Sequence, residues 1–238
     1  MIKTVTFDLW NTIFANRFYS DIRLNYLNHF LEKKGIALSS NKLKDVFFSA
    51  FNFSDLNLED INYRHIYTHE RISKVFQILD IKCSESQIKK IEKYFEEVML
   101  NEPPPLKMGV KETLKEISSE FNIGLISNTG ITPGRIINEI FIMYDIQKYF
   151  QVTLFSDETG VYKPNPLMFE TALKKLKCKP QNAIHIGDKL ETDIRGAKNF
   201  NMLTIWINDS SYPRSQHIQP DYEIQKIYDA VGIIKRIK

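Results

Sequence analysis

The chain has 238 residues, with 32 basic and 29 acidic side chains and a formal net charge of +3; 43% of it is hydrophobic and 26% charged. This composition excludes collagen-like, low-complexity and largely disordered chains. The length allows one or two domains with a core that needs no disulfide or metal staple.

The N-terminus, MIKTVTFDLW, lacks the apolar core of a signal peptide. No stretch reaches the roughly 18 apolar residues of a membrane helix. Cys83 and Cys178 lie far apart and form no CxxC pair, against a disulfide framework or a structural zinc site. The small net charge gives no sign of the one-sided basic face that nucleic acid requires. The expectation is a cytoplasmic protein, monomer or homodimer, with neither nucleic acid nor membrane as partner.

In chain order, Ile2 to Phe7 reads as a strand, β-branched and aromatic, stopped by the polar cluster Asp8 to Thr12. From about Arg17 to Asn101 the apolar residues recur at helical spacing. One stripe runs through Ile22, Tyr26, Leu27, Phe30 and Leu31 and ends at Gly35. A second contains Leu43, Val46, Phe47, Ala50 and Phe51, and a third runs from Tyr63 and Ile66 to Phe76 and Leu79. The fourth opens on a capping box, Ser84 with Gln87, before Ile88, Ile91, Phe95, Val98 and Met99. Pro103, Pro104 and Pro105 close the helical module, because successive prolines cannot continue a helix.

Beyond the prolines, helices alternate with short apolar strands. Helix Val110–Glu120 precedes strand Ile123–Ile126, and helix Pro133–Phe141 precedes strand Val152–Phe155. Helix Pro166–Leu176 precedes strand Ala183–Ile186, and helix Leu190–Phe200 precedes strand Leu203–Ile207. This predicts an α/β fold: a Rossmann-like three-layer α/β/α core with a parallel sheet, interrupted by an inserted helical cap. The division is 1–15 and 106–238 for the core and 16–105 for the cap.

Ligands of open parallel sheets bind beyond the carboxyl ends of the strands. The polar residues falling there are Asp8 in FDLWNT, Ser127 in LISNTG, Lys163 in VYKPNP, and Asp188 with Asp193 in HIGDKLETD. Carboxylates supply the oxygen ligands that suit a hard cation such as Mg²⁺. A hydroxyl and an ammonium suit phosphate oxygens. A carboxylate beside a metal and a phosphate can attack phosphorus. Any one of these residues alone is better explained as a turn, cap or surface group; the ordered set is what carries weight.

The set resembles the haloacid dehalogenase (HAD) superfamily, in the branch with a helical cap inserted after the first strand. FDLWNT is similar to its first motif, SNT to its second, GVYKPNPLMF to its third and HIGDKLETDIRGAK to its fourth. The resemblance implies a hydrolase in which Asp8 is the nucleophile. Ser127 and the backbone at Asn128 would hold phosphate, and Lys163 would neutralise charge. Asp188, Asp193, Asp8 and the backbone carbonyl of Trp10 would hold Mg²⁺. The substrate would be a small phosphorylated metabolite.

One departure stands out. Phosphatases of the family carry a second Asp two residues after the nucleophile, as general acid and base. Here that position is Trp10, and an indole has no titratable proton near neutral pH. General acid–base catalysis is worth roughly 10²–10⁴-fold. Three readings follow: a phosphohydrolase favouring good leaving groups, a dehalogenase whose halide leaves unprotonated, or a catalytically weak member that binds a phosphorylated ligand or a partner protein. The intact Gly187-Asp188 and Asp193 favour the first. Arg17 and Arg23 read as helix-surface or hinge residues. His65 and His69, four apart, read as one exposed helix face, and His185 as a packing residue. Among the cap aromatics, Phe48 or Phe53 is the better candidate for facing the cleft.

Overall fold

The computed structural model describes residues 1–51, 59, 61–209, 213 and 215–237. The first strand, β1 (Thr4–Phe7), is buried along its whole length. Four helices follow: α1 (Ser20–Lys33), α2 (Ser40–Phe51), α3 (Thr68–Ile78) and α4 (Glu85–Asn101). After α5 (Val110–Ser118) come β2 (Asn122–Ser127), α6 (Gly134–Met143), β3 (Val152–Phe155), α7 (Ser156–Thr159) and α8 (Pro166–Lys175). The chain finishes through β4 (Ala183–Gly187), α9 (Arg195–Asn199), β5 (Leu203–Ile207), β6 (Tyr222–Ile224) and α10 (Asp229–Arg236).

The six strands form one parallel sheet in the order β3-β2-β1-β4-β5-β6. Side chains alternate across it, so each face recruits its own helices. Val5, Phe7, Ile123, Leu125, Ile184 and Ile186 share an apolar cluster with residues of α5, α6 and α10. Ile126, Leu154 and Ala183 cluster instead with residues of α8 and α9. The result is three layers, helices on both sides of a parallel sheet. Helices α1 to α4 bury a separate apolar cluster in which Leu27, Leu31, Phe47, Ile72, Ile91 and Phe95 are almost wholly covered. No described helix is long and apolar enough to cross a membrane.

β1 sits in the centre, and the chain switches direction on either side of it: β2 and β3 extend one way, β4 to β6 the other. The carboxyl ends of β1 and β4 therefore meet at a topological switch point, where open α/β sheets bind ligands. Pairing of Phe7 with both Leu125 and Ile186 brings Asp8 level with the ends of its neighbours.

The helix α4 begins as its sequence requires. The Ser84 side chain accepts from the Gln87 backbone N–H, and the Gln87 side chain accepts from Ser84. The third helix is shorter than its apolar stripe predicts. Tyr63 to Tyr67 lie outside it, because this segment pairs with the core: His65 N–H donates to the Gly160 carbonyl at 2.8 Å and Tyr162 N–H to the Tyr63 carbonyl at 2.7 Å. The apolar spacing of Tyr63 and Ile66 imitates a helix turn, but the core segment Gly160 to Tyr162, through an isolated bridge between Arg64 and Val161 and the Tyr162 hydroxyl, takes backbone groups of this stretch. The predicted helix Leu190–Phe200 divides into a π-helical turn, Leu190–Ile194, and α9. The strand β6 and the helix α10 were not predicted; β6 is only three residues long, too short to show alternation.

Candidate active site

Asp8 follows the last residue of β1, and its own N–H donates to the Ile186 carbonyl at 2.8 Å. Its carboxylate faces Lys163, whose Nζ donates to Asp8 Oδ1 at 2.6 Å. The same ammonium donates to the Ile126 carbonyl at 2.6 Å and meets Asp193 Oδ1 at 2.7 Å. A lysine has three N–H donors, so all three are engaged. Lys163 is 1% exposed and Asp193 likewise. Burial alone would lower the lysine pKa, but Asp193 and Asp8 outweigh it and raise it. Burial raises Asp193, yet Lys163 and then His185 reverse this, leaving it well below the usual carboxylate range. Asp8 is pushed up to about 6, chiefly by burial, against the pull of Lys163 and with repulsion from Asp193.

Asp188 stands across from Asp8, just past β4. Burial first, then repulsion from Asp8 and Asp193, pushes its carboxyl up to about 7. Its Oδ2 accepts from Asn11 Nδ2 at 3.1 Å, and its carbonyl accepts from Trp206 Nε1 at 2.8 Å. Asn11 sits at φ +56°, a left-handed position that asparagine tolerates, and Lys107 Nζ donates to its carbonyl at 2.7 Å. Asp193 projects from the π-helical turn. Its Oδ2 accepts from the Lys189 N–H at 2.9 Å. Gly187 permits this approach: a Cβ there would lie 2.5 Å from the Asp193 carboxyl carbon.

One carboxylate oxygen from each of Asp8, Asp188 and Asp193 lies within 4.8 Å of the other two. One buried ammonium faces these three acids, so negative charge is in surplus, and burial first, with repulsion between the carboxylates after it, raises Asp8 and Asp188. An all-oxygen donor set with surplus charge fits a hard divalent cation.

These residues line a cavity of about 290 Å³ together with Trp10, Asn128, Thr129 and Thr132 from the core side, and Arg23, Phe51 and Met99 from the helices. Of the predicted site residues, Asp8, Trp10, Asn128, Lys163, Asp188 and Asp193 all reach it. Ser127 does not line it. It is fully buried at the end of β2, with its hydroxyl 3.3 Å from the Asn128 carbonyl. The Asn128 side chain clamps the lysine backbone: Lys163 N–H donates to Oδ1 at 2.7 Å, and Nδ2 donates to the Lys163 carbonyl at 3.1 Å. Trp10 tilts against Phe14, ring centroids 6.1 Å apart.

Several expectations need correcting. Phe51 lines the cavity, whereas Phe48 does not and is 44% exposed; Phe53 lies outside the described residues. Arg17 is a surface residue paired with Glu102, but Arg23 is 4% exposed and faces the cavity. His65 is not on a helix face. It is 2% exposed, its Nδ1 3.0 Å from Ser156 Oγ, and burial drives its pKa down to about 4. Ser156 Oγ in turn accepts the Thr129 N–H at 2.8 Å, and Thr129 Oγ1 donates to Asp157 at 2.7 Å. Asn11 and Thr129 were missed as contributors, although each lies within a motif already singled out. His185 is packed as expected, fully buried with Nδ1 2.9 Å from Thr6 Oγ1.

A family model described as haloacid dehalogenase-like hydrolase matches residues 2–201. The glyceraldehyde 3-phosphate phosphatase of Methanopyrus kandleri is 35% identical over 113 residues, covering 45% of this chain and 48% of that protein. The N-acylneuraminate-9-phosphatase of Rattus norvegicus is 28% identical over 134 residues, covering 56% and 53%. The chain spans about half the length of the curated relatives it matches. Among solved structures, a 2-haloacid dehalogenase from Pseudomonas syringae pv. Tomato DC3000 superposes with a TM-score of 0.74 at 22% identity over the whole of both chains. A HAD phosphatase from Thermococcus onnurineus gives 0.65 at 22% identity over 98% of each. At such identities the structural likeness shows the fold. With the family model spanning most of the sequence, the chain belongs to the haloacid dehalogenase-like hydrolases.

Proposed function

We propose that this hydrolase is a Mg²⁺-dependent phosphohydrolase acting on a small phosphorylated metabolite through an aspartyl-phosphate. One observation carries the reading: a buried carboxylate, Asp8, held 2.6 Å from Lys163 and grouped with Asp188 and Asp193. The phosphatases among the relatives support it.

In the first half-reaction an Asp8 oxygen attacks phosphorus. The phosphorus–oxygen bond to the leaving group breaks, and the phosphoryl group resides on Asp8. In the second, water attacks phosphorus, the bond to Asp8 breaks, and phosphate leaves. Lys163 neutralises Asp8 and orients it, while its third hydrogen bond, to the Ile126 carbonyl, fixes the ammonium. Asn128 positions Lys163 by holding its backbone, and the backbone at Asn128 receives phosphate oxygens, with Ser127 buried behind it. Asp8, Asp188, Asp193 and the Trp10 carbonyl would hold Mg²⁺, which supplies charge stabilisation to the transferring group when bound. Trp10 can neither protonate a leaving alkoxide nor activate water. Substrates with good leaving groups, acyl or aryl phosphates, are therefore favoured.

We also assign 16–105 as a cap that closes over a core of 1–15 and 106–238, with hinges at Phe14–Phe18 and Pro103–Pro105. Closure would exclude water from the cavity. The test is a phosphatase screen with and without Mg²⁺, using Asp8→Asn as control. Metal-dependent turnover that the variant lacks is expected. Equal turnover in the two proteins would remove Asp8 from the chemistry, and halide release from a 2-haloacid without metal would replace the reading with the dehalogenase one.

A further inference from the structure

The segment before α3 grips the core at the residue next to the lysine that faces Asp8. Tyr162 and Lys163 carry four backbone polar groups between them. Asn128 holds both of those on Lys163, and the Tyr162 carbonyl accepts from the Asn165 N–H at 3.0 Å. The fourth, the Tyr162 N–H, donates across to the Tyr63 carbonyl at 2.7 Å. Beside it the two segments bridge antiparallel at Arg64 and Val161, and the His65 N–H donates to the Gly160 carbonyl at 2.8 Å. The Tyr162 side chain is fully buried. Its Oη accepts from the Ile66 N–H at 3.0 Å and stands 3.5 Å from Arg71 Nη2. The His65 ring packs on the Tyr162 ring, centroids 4.9 Å apart, and its Nδ1 meets Ser156 Oγ at 3.0 Å.

The backbone of this segment is bent to make the contact. Asn62 and Tyr63 are successive left-handed residues, at φ +48° and +57°. For a bulky side chain such as tyrosine that conformation is an outlier, and it persists only where surrounding contacts hold it. At Tyr63 the carbonyl is held by the Tyr162 N–H. The consequence falls on Lys163. One planar peptide joins it to Tyr162, with Cα atoms about 3.8 Å apart. Its ammonium meets Asp8 at 2.6 Å and Asp193 at 2.7 Å, so a backbone shift at Tyr162 is felt directly at both carboxylates.

We infer that Tyr162 is a positioning residue: it passes the docked position of segment 63–66 to the Lys163 backbone, so that the lysine ammonium and Asp8 align when this segment is docked and loosen when it lifts. Tyr162 acts through Lys163 and needs no contact with substrate. This rests on the phosphohydrolase reading, which makes Lys163 and Asp8 the working pair.

The test follows the hydrogens of the Lys163 ammonium in the whole chain, by heteronuclear NMR of labelled lysine with chelator present. The signal is the one absent from Lys163→Met. All three hydrogens are bonded, so they should exchange with water more slowly than those of exposed lysines. In wild type, under urea below the unfolding transition, the ammonium should lose protection in step with the Tyr162 amide, as one opening unit. Tyr162→Phe deletes only the hydroxyl, and an ordinary hydrogen bond corresponds to about three- to tenfold in such an equilibrium. The ammonium should exchange faster by that factor while the amides of β5 are unmoved. With Mg²⁺ and a phosphate ester, kcat should fall comparably and KM should stay within about twofold. A tyrosine with a merely structural role would not move the ammonium. Wild-type ammonium exchange in Tyr162→Phe, or protection kept in urea after the Tyr162 amide has lost it, would overturn the inference. So would a rise in KM with kcat unchanged. Should Tyr162→Phe not fold, the urea series on wild type decides alone. If no phosphate ester turns over, the phosphohydrolase reading fails, and the exchange measurements still decide whether Tyr162 holds the lysine.

Discussion

Replacing Lys163 by Met tests the electrostatic heart of the site. Methionine nearly fills the space of the lysine stem, so the main change is loss of the ammonium. That removes contacts of 2.6 Å to Asp8, 2.7 Å to Asp193 and 2.6 Å to the Ile126 carbonyl. Two buried carboxylates then face each other with Asp188 close by. Removing one partner of a buried ion pair costs about 3–5 kcal/mol, because the other charge is left uncompensated. Domains are stable by only about 5–15 kcal/mol, so roughly a fifth or more of the total is at stake. With a urea m-value of about 1–3 kcal/mol/M, the unfolding midpoint should fall by roughly 1 M or more. The measurement is urea unfolding at pH 7 with chelator present, so that no cation substitutes for the lysine. Adding Asp193→Asn to the variant should recover part of the loss, since it removes one of the stranded charges. A single variant within about 1 kcal/mol of wild type, or a strictly additive double variant, would refute the view of Lys163 as the counter-ion that lets these acids be buried.

Three further outcomes can be checked. Trp10→Asp should raise turnover of alkyl phosphates more than of acyl phosphates, by up to about 10²-fold if the absent acid is limiting; a fall on both substrates would count against that account. Gly187→Ala would force a Cβ to within 2.5 Å of the Asp193 carboxyl, costing about 1–3 kcal/mol by thermal or urea unfolding and weakening Mg²⁺ binding by calorimetry; unchanged metal affinity would show that Asp193 can shift freely. His65 has a folded pKa of about 4, below its ordinary value of 6.5. The unfolded chain therefore binds the proton more readily, and the contribution of neutral His65 is present in full above about pH 6.5 and lost as pH falls towards 4. Between those limits wild type should lose about 1–3 kcal/mol more than His65→Gln, and parallel pH–stability curves for the two proteins would contradict the burial argument.

Much of the fold was legible because its signals are local. Ser84 and Gln87 announce α4 by their spacing, and Val152–Phe155 is a strand in sequence and structure alike. The parallel sheet followed from alternation of helix and strand, and the motif residues Asp8, Lys163, Asp188 and Asp193 followed from their positions after strands. Where the reading failed, a partner distant in sequence had intervened. Tyr63 to Tyr67 carry helix-like spacing, but the segment at Gly160 to Tyr162 claims their backbone groups. His65 looked exposed beside His69 until Ser156 and the core loop covered it. Arg23 sits on a helix whose sequence reads as amphipathic surface, and only the packing of α1 against α4 turns its guanidinium into the cavity wall.

The sequence by itself thus determined which groups stand at the strand ends and which chemical types they are, because a strand's end and a helix cap are settled by a few neighbouring residues. Tertiary structure alone decided their division of labour. The three donors of Lys163 are distributed among Asp8, Asp193 and Ile126. The Asn128 side chain proves to hold the lysine, and Ser127 lies behind the cavity wall. Hydrogen-bond partners and charge balance depend on distances of a few tenths of an ångström between residues far apart in the chain, up to 155 positions for Asp8 and Lys163. No local pattern encodes these, because close packing of the whole core sets them.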